Sequence, residues 1–551
     1  MKYFLFMVAV GCSAKPSKQV DTHGEGDTVD GGGDSAIDCV AYPWQSAVAG
    51  EAIAPMDGAQ IEDHEAAQQL ASTIVEQPHV AAVLWREADD YHVRTASVAT
   101  HFSRTRDEGG NWSLEWADSS PLNTDPMIDT TLAQELGHSN PEGTTYPEHG
   151  YGEGDGRLSF STVEEGSFPF LKRRFSSLFD GANSPNMAVL LAPYAAGGVG
   201  SHGDASATQS RAPLVLRGPG VKAGVLEVAA NHVDVAPTVA GLLGVEPVTG
   251  VDGRSGRWTT GQMLAWQDGQ VLSDALDEQC AYGAAKHALV LILDGLNHNE
   301  LMDGVVAGRY PNLARIVDEH AAIFSGGSVV GWPSFSLPGH VSIFTGAWQG
   351  HHGMISNSFY DRETGGSGPG ISLSEMLANR DAGRRAMDQY LSPDVETLFE
   401  AVARSSPEGV IASINELTTR GATWDPTAAL PPAPPTDIAV YALADEAALL
   451  QVAHVFEVAG PPALMAVSLY LSDAAGQDYG PHGDDARTAL EETDVRVGKI
   501  IDQYQDAGVF DDTVFVLTAD HGMELMDSSR TASWAGAIDE VTRYDRMLYL
   551  P

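Results

Sequence analysis

The sequence has few basic residues, few cysteines and no long apolar run. Its 551 residues include 31 lysines and arginines against 75 aspartates and glutamates, a formal net charge of −44 at pH 7. Such a surface repels nucleic-acid phosphates, so binding to a nucleic-acid duplex is not expected. No segment stands out as a transmembrane helix. With 43% apolar residues and no dominant low-complexity tract, the chain can bury a large core, which predicts a globular protein.

The N-terminus resembles a bacterial lipoprotein signal. A basic residue precedes a short apolar run that ends at Gly11 and Cys12, and this run is too short to cross a bilayer. Residues 1–12 are therefore interpreted as a signal with Cys12 as the lipidated cysteine. This predicts export to the bacterial cell envelope, with lipid anchoring at the outer membrane or periplasmic face. A plain secretory signal and a chance apolar start are the alternatives.

The segment after the signal has little to bury. Residues 13–45 are acidic and rich in glycine, which predicts a solvated tether. The two remaining cysteines are Cys39 and Cys280. In an exported protein they are expected to form a disulfide, with two buried thiols as the alternative.

Strand-like apolar runs alternate with helical patterns in the second half of the chain, which predicts a parallel sheet covered by helices. The predicted strands there are residues 288–293, 410–414, 438–443, 464–471 and 513–518, and the predicted helices are 446–458 and 486–504. The first half is less regular. Its predicted elements are helices 61–75 and 235–243 and strands 80–85, 187–191 and 213–216.

Three places combine a reactive side chain with the end of a predicted element. Asp294 follows a buried strand, and Asp520 with His521 follows another, where open α/β sheets bind their ligands. Ser336 precedes a proline suited to the first turn of a helix, where free amides favour anions. Taken singly, an aspartate before a glycine is often part of a turn and a serine before a helix is often a cap.

In order and spacing, the motifs of the second half resemble the type I phosphodiesterase/nucleotide pyrophosphatase family of the alkaline phosphatase superfamily. These motifs are Asp294-Gly295, Tyr310-Pro311-Asn312-Leu313, Ser336-Leu337-Pro338-Gly339-His340, Thr345-Gly346, His352-Gly353-Met354, Asn357-Ser358-Phe359-Tyr360-Asp361 and Asp520-His521-Gly522-Met523. The resemblance implies an α/β fold, an alkaline phosphatase-like three-layer sandwich with a mostly parallel central sheet. It also implies two divalent metal ions, expected to be zinc, and a small phosphate ester as substrate.

The resemblance also assigns roles to single residues of one metal site. One metal would be held by four side chains, namely Asp294, Ser336, Asp520 and His521. Ser336 would be the nucleophile, and Asn357 would contact the phosphoryl group of the substrate.

The family's other metal is held by an aspartate, a histidine four residues later and a distant histidine. Asp473 matches the aspartate, but Gln477 stands where the first histidine is expected. A glutamine carbonyl is a poor zinc ligand, so this site is expected to bind metal more weakly, to prefer another metal, or to recruit Asp478 or His482 instead.

The distant histidine comes before the nucleophile in this chain. His202, in a Ser-His-Gly sequence, and the Asp-x-x-Pro-Thr pattern at 234–238 look like the C-terminal part of the same family. We therefore expect a circular permutation. Residues 46–265 would be the C-terminal half-equivalent, 266–285 a connector and 286–551 the N-terminal half-equivalent with the nucleophile, so that 46–551 form one catalytic domain. Two separate domains, with His202 a surface histidine, are the alternative.

The implied activity is hydrolysis of phosphate esters, most of all phosphodiesters or nucleotides, through a phosphoseryl intermediate on Ser336. A phosphomonoesterase and a sulfatase of the same superfamily are alternatives, although the sulfatase motif has an arginine at the position of His340. A non-catalytic surface lipoprotein with a degenerate metal site is a further alternative, supported by Gln477. The sequence does not indicate an oligomeric state.

Overall fold

The computed structural model describes residues 64–106, 112–118, 168–192, 194–253, 257–277, 279–370, 375–376, 379–425 and 438–529, together with residues 40 and 46–47. These residues all belong to the unit Cys39–Pro551. The predicted signal, with Cys12, and Cys39 of the tether lie outside the described residues. Cys280 is disulfide-bonded, and its pairing with Cys39 stays a prediction.

The strands of the first half precede the connector. They are β1 (Ser46–Ala47), β2 (Val80–Glu87), β3 (Asp90–Arg94), β4 (Ala99–Arg106), β5 (Trp112–Trp116), β6 (Met187–Leu191), β7 (Gly200–Ser201), β8 (Arg211–Ala212), β9 (Leu214–Arg217), β10 (Gly224–Leu226), β11 (Ala230–Asn231), β12 (Val248–Asp252) and β13 (Arg257–Gln262). Those of the second half are β14 (His287–Leu293), β15 (Ala321–Phe324), β16 (Ser328–Val329), β17 (Phe359–Tyr360), β18 (Ser367–Gly368), β19 (Ile411–Ile414), β20 (Leu464–Leu469), β21 (Thr513–Thr518) and β22 (Glu524–Leu525).

The helices are distributed over both halves. They are α1 (His64–Ile74), α2 (Leu171–Leu178), α3 (Ala207–Ser210), α4 (Val235–Leu242), α5 (His298–Val306), α6 (Ser336–Thr345), α7 (Gln349–His352), α8 (Arg380–Tyr390), α9 (Leu398–Ser405), α10 (Ile438–Ala459), α11 (Leu471–Tyr479) and α12 (Asp484–Asp506).

The central sheet takes strands from both halves of the chain. Across the described residues its seven strands run in the order β10-β15-β9-β21-β14-β20-β19. All pairs between neighbours are parallel except the two made by β9, which is antiparallel to β15 and β21. Since β9 and β10 come from the first half and the other five strands from the second, both halves build one sheet.

Helices cover both faces of this sheet, which gives the expected three-layer α/β sandwich. Apolar side chains of β14 alternate between the faces, as the pleat requires. Val290 and Ile292 pack with helices α4, α6 and α9, while Leu289 and Leu291 pack with α5, α10 and α12. The predicted fold class, α/β with a mostly parallel central sheet, is confirmed.

A second, smaller sheet belongs to the first half. Its strands follow the order β5-β4-β3-β2-β6, and every pair is antiparallel. One of its faces packs, together with α2, against Trp332, Leu337 and Val341 near the start of α6. The other face is covered by α1. The predicted strand 80–85 is thus an inner strand of an antiparallel sheet, between β3 and β6.

One sequence prediction assigned the wrong type of secondary structure. Residues 438–443, predicted as a strand, form the first turns of helix α10, which runs through to Ala459. Alanine is the most frequent residue of α10, at seven of 22 positions, and alanine favours helix over strand. Ala448, Val452 and Val455 of α10 are buried against the sheet.

Helix α10 is also long and apolar enough to cross a membrane, by length and composition alone; within the part of the chain that the structure describes, one helix meets that test. A core helix of a globular protein meets it equally well. The three buried residues of α10 are consistent with the core helix.

The predicted connector is packed against the core. In residues 266–285, Ala275, Leu276 and Ala281 are buried in the same cluster as α4. The connector is mostly polar, but its few apolar residues pack against the core and hold it in place.

Candidate metal and nucleophile site

Three parallel strands end at the same edge of the central sheet, and each is followed by a candidate ligand. Asp294 follows β14, and Asp520 with His521 follows β21. Asp473 lies in the first turn of α11, which starts two residues after β20. Because β14 pairs with both β20 and β21, these side chains meet where α/β sheets form their sites.

The inner part of the site consists of three fully buried side chains, Asp294, Asp520 and His521. The His521 Nε2 atom lies 3.6 Å from Oδ1 of Asp294 and 3.2 Å from Oδ2 of Asp520. Both oxygens of Asp294 and Oδ2 of Asp520 lack a hydrogen-bond partner. Burial, followed by repulsion from Asp520 and Asp473, raises the pKa of Asp294 well above its usual range.

The outer part of the site joins the two halves of the chain. His202, from the first half, has its Nε2 atom 3.7 Å from Oδ1 of Asp473 and its ring stacked on that of His521, with centroids 3.7 Å apart. The Nε2 atom of Gln477 lies 2.7 Å from Oδ2 of Asp473 and 3.2 Å from Nε2 of His202. The structure therefore brings His202 and Asp473 together, although they are 271 positions apart in the sequence.

Both histidines are oriented by their other ring nitrogen. Nδ1 of His202 lies 3.1 Å from the carbonyl oxygen of Ser334, and Nδ1 of His521 lies 2.9 Å from that of Gly522. A carbonyl oxygen accepts only, so each Nδ1 carries the proton and each Nε2 presents its lone pair to the site. Metal-ligating histidines have this second-shell arrangement.

Ser336 is the first residue of α6, and the capping position before it is taken by Phe335. Its Oγ atom lies 3.3 Å from Nε2 of His521. Asn357 is next to it, because its Oδ1 atom accepts a hydrogen bond of 2.8 Å from the amide of Leu337. Ser336 is therefore not the ordinary helix cap that its position in the sequence allowed.

Sequence reasoning missed the role of His340, one turn into α6. Its Nδ1 atom is 2.7 Å from Oε2 of Glu416, and its Nε2 atom is 3.6 Å from Asp294 and 3.8 Å from Asp520. Burial alone would lower the pKa of His340, but Glu416 and Asp294 raise it well above its ordinary value. The spacing of four residues between Ser336 and His340 could have indicated His340 as a site residue. Glu416 follows a different strand and belongs to no recognisable motif.

The proposed substitute ligands for Gln477 do not lie in the site. His482 is buried between Glu300 and Glu524, with Nδ1 and Nε2 at 3.3 and 3.0 Å from their carboxylates. Burial would lower its pKa, but Glu524 and Glu300 raise it to about 10. Asp478 is exposed on α11. The expectation that His482 replaces a ligand is wrong, because its two nitrogens are already paired.

These donors fit divalent metal ions. Among the described residues, two neighbouring groups bring three ligand atoms within 4.8 Å of one another: Asp294, His340 and Asp520 in one, and His202, Asp473 and His521 in the other. Buried carboxylates without partners are costly unless a cation neutralises them. Carboxylates and imidazoles are ligands for zinc. The fold and the site together define the class of protein. It is an α/β protein with a candidate metal centre at the carboxyl ends of its strands, next to a serine.

Comparison with known proteins relates the second half of the chain to a family. Residues 288–548 match the model of the type I phosphodiesterase / nucleotide pyrophosphatase family. The resemblance inferred from the motifs is confirmed. Over 220 residues the chain is 24% identical to bis(5'-adenosyl)-triphosphatase ENPP4 of Bos taurus, covering 37% of this chain and 41% of the relative. The chain therefore spans less than half the length of that protein.

Two solved structures show more distant likeness. Murine ectonucleotide pyrophosphatase / phosphodiesterase 5 is 14% identical, with a TM-score of 0.30 over 44% of this chain and 59% of that chain. Phosphonoacetate hydrolase from Sinorhizobium meliloti is 19% identical, with a TM-score of 0.29 over 43% of this chain and 57% of that chain.

Proposed function

We propose that the chain is a hydrolase of phosphodiesters, nucleotides included, with Ser336 as the nucleophile and two divalent metal ions as cofactors. The observation that carries the proposal is the position of Ser336 at the start of a helix, facing His521 and next to buried carboxylates without partners. The family match of the second half supports the reaction class. The bovine relative is named for the hydrolysis of a dinucleotide, which favours nucleotide substrates.

The proposed ligand sets follow the inner and outer parts of the site. Asp294, Ser336, Asp520 and His521 would hold one ion, and Asp473, His202 and Gln477 the other. When bound, the two ions would neutralise the phosphoryl oxygens and lower the pKa of the serine hydroxyl. Gln477 can contribute through its carbonyl oxygen, since a half-turn of its amide exchanges Nε2 for Oε1 facing His202 and Asp473.

The chain's own residues then perform a two-step displacement. The Oγ atom of Ser336 loses its proton to solvent and forms a bond to phosphorus while the bond to the leaving oxygen breaks. The leaving oxygen takes up a proton from solvent, and a phosphoseryl group that keeps the other ester substituent remains. A water oxygen then attacks phosphorus, the bond to Oγ breaks, a proton of the water returns to Oγ, and the phosphate monoester leaves. The positive N-terminal end of α6 stabilises the negative phosphoryl group in both steps. Oδ1 of Asn357 is held by the amide of Leu337, so its Nδ2 can donate to a phosphoryl oxygen.

The permuted order of the halves stays a prediction, and the topology supports it. His202 reaches the site from a segment that precedes β9, and β9 lies between β15 and β21 of the second half. Further backbone links hold the His202 loop in place: the amide of Gly203 donates to Oγ of Ser334, and that hydroxyl donates to the carbonyl of Asp204. A circular permutation changes the order of the two halves along the chain but keeps the fold. Both halves must then still contribute residues to one active site.

The experiment compares three substrates with the full chain and added zinc. Nitrophenol release is followed from bis-nitrophenyl phosphate, nitrophenyl phosphate and nitrophenyl sulfate. We expect the diester to react fastest and Ser336→Ala to lower its kcat/KM by about 10³-fold or more. Ser367→Ala, an exposed serine of β18, is the control and should not change the rate. Preference for the monoester or sulfate would reassign the class, and no reaction at saturating zinc would favour the non-catalytic alternative.

A further inference from the structure

A second group of metal-binding side chains lies on the small sheet, and none of its members belongs to the site of Ser336. We propose that His64, Glu87 and His92 form an additional site for a divalent cation of the zinc type. The ligand atoms of the three residues lie within 4.8 Å of one another. The site would be made entirely by the first half of the chain.

The sheet register explains why these side chains meet. Trp85 and Glu87 are two residues apart on β2 and so point to the same face. His92 of β3 is the register partner of Trp85, and its ring stacks on the indole with centroids 5.1 Å apart. Helix α1 covers this face through Ala67 and other apolar residues, and its first residue, His64, arrives over Glu87.

The distances between the three side chains would allow them to bind one ion after small side-chain rotations. Nδ1 of His64 contacts Oε1 of Glu87, and Nε2 of His92 is 3.5 Å from Oε2 of the same carboxylate. Ligands at zinc distances of 2.0–2.2 Å in a tetrahedral arrangement are separated by about 3.4 Å. The ring centroids of His64 and His92 are 5.0 Å apart, so both imidazoles face one space beside Glu87.

The surroundings favour ligation over simple ion pairing. Nε1 of Trp85 donates a 2.7 Å hydrogen bond to Oε1 of Glu87, which orients the carboxylate from outside the site. His101, opposite His92 on β4 with ring centroids 5.6 Å apart, is near enough to assist.

The site is also reachable from solvent and links separate elements. The side chains of His64, Glu87 and His92 are 43%, 22% and 17% exposed. A bound ion would connect the start of α1 with the β2–β3 hairpin. Since binding to the folded state stabilises it, the ion should stabilise the small sheet. Its chemical role is therefore structural, independent of ester hydrolysis.

The test measures zinc content and thermal stability of the full chain. After dialysis against a fixed low zinc concentration, the H64A/H92A double variant should contain one zinc per chain fewer than the wild type, with unchanged diesterase kcat/KM. His320→Ala, which removes an exposed histidine 3.9 Å from Glu319, is the matched control and should lose none. Equal zinc content in the double variant and the wild type would overturn the proposal.

A second variant guards against misfolding. Glu87→Gln keeps the shape and an acceptor for Trp85 while removing the charge. Without zinc its Tm should match that of the wild type, and zinc should raise the Tm of the wild type by several degrees more than that of the variant. An identical zinc-dependent rise in both proteins would show that the three residues form only an ion-paired cluster. Neither result depends on activity, so the outcome is separate from that of the Ser336 assay.

Discussion

The inner and outer parts of the candidate site differ in burial and in ligand chemistry. Asp294, Asp520 and His521 are fully buried and come from the second half alone, on neighbouring strands of one sheet. His202, Asp473 and Gln477 lie nearer to solvent, join both halves and include one amide. The inner part has three carboxylate oxygens without hydrogen-bond partners, both of Asp294 and Oδ2 of Asp520, whereas the outer part has a weaker ligand set linked by hydrogen bonds.

This difference predicts how activity depends on each ion. Activity should require the inner ion at every zinc concentration, whereas the contribution of the outer ion should rise with the zinc concentration. Two buried carboxylates whose oxygens lack hydrogen-bond partners are costly to ionise together without a cation, so the inner ion should bind tightly. A glutamine in place of an imidazole weakens the outer ion, because amide oxygens are poor zinc ligands. Hydrolysis would then require both ions but be limited by occupancy of the outer one.

The largest expected effect is that of Asp294→Asn. The inner ion loses a charged ligand, so kcat/KM for a diester should fall by about 10³-fold or more. The metal-free variant should be at least as stable as the metal-free wild type, because a buried carboxylate without a partner is removed. Diester assays and thermal melts in chelator measure the two effects. A large loss of stability without metal would mean that Asp294 is structural.

A smaller loss is expected from His202→Ala, which changes the outer part only. Activity should fall by about 10²-fold at low zinc and recover in part at high zinc, because Asp473 and Gln477 remain. Diesterase rates over a zinc series measure this, with the exposed His320→Ala as control. If His202→Ala behaves like the control, the first half does not contribute to the site, and the two-domain alternative gains support.

The smallest effect on activity is expected from His482→Gln, which should act on stability. The folded pKa of about 10 lies above the ordinary value of 6.5. The stabilising contribution of the charged imidazole is therefore complete below pH 6.5 and is lost as the pH rises toward 10. Removing it should cost about 3 kcal/mol of unfolding free energy near pH 6.5 and less at pH 10, as urea titrations can measure. A shift in zinc dependence instead would make His482 a ligand after all.

The sequence predicted most of the site because its residues lie in short motifs at the ends of strands. The ends of β14 and β21 carry Asp294, Asp520 and His521, and these positions are fixed by the parallel sheet. Glu416 could not be predicted, since its role depends on the neighbouring strand β19 and on contact with His340 across the fold. The antiparallel strands β3 to β5 were also missed. Polar and histidine side chains weaken the alternation in β3 and β4, whereas β5 alternates apolar and polar residues and was recognisable from its pattern.

Residues 438–443 show a different limit. A short apolar run reads equally well as a buried strand or as part of a helix, and only the length of the continuous element decides. The helix extends over 22 residues in the structure, from Ile438 to Ala459. His482 was similarly ambiguous, because a histidine near a ligand motif cannot be assigned before its partners, Glu300 and Glu524, are known.

The most direct test of the account is the zinc dependence of diester hydrolysis by the wild type and by Gln477→His. Activity reports only on the catalytic ions, so other zinc sites do not interfere. The account predicts that the variant reaches half-maximal activity at a free zinc concentration about 10-fold lower than the wild type, because imidazole replaces an amide at the outer ion. Identical zinc curves for the two proteins would contradict the assignment of Gln477 to the outer site.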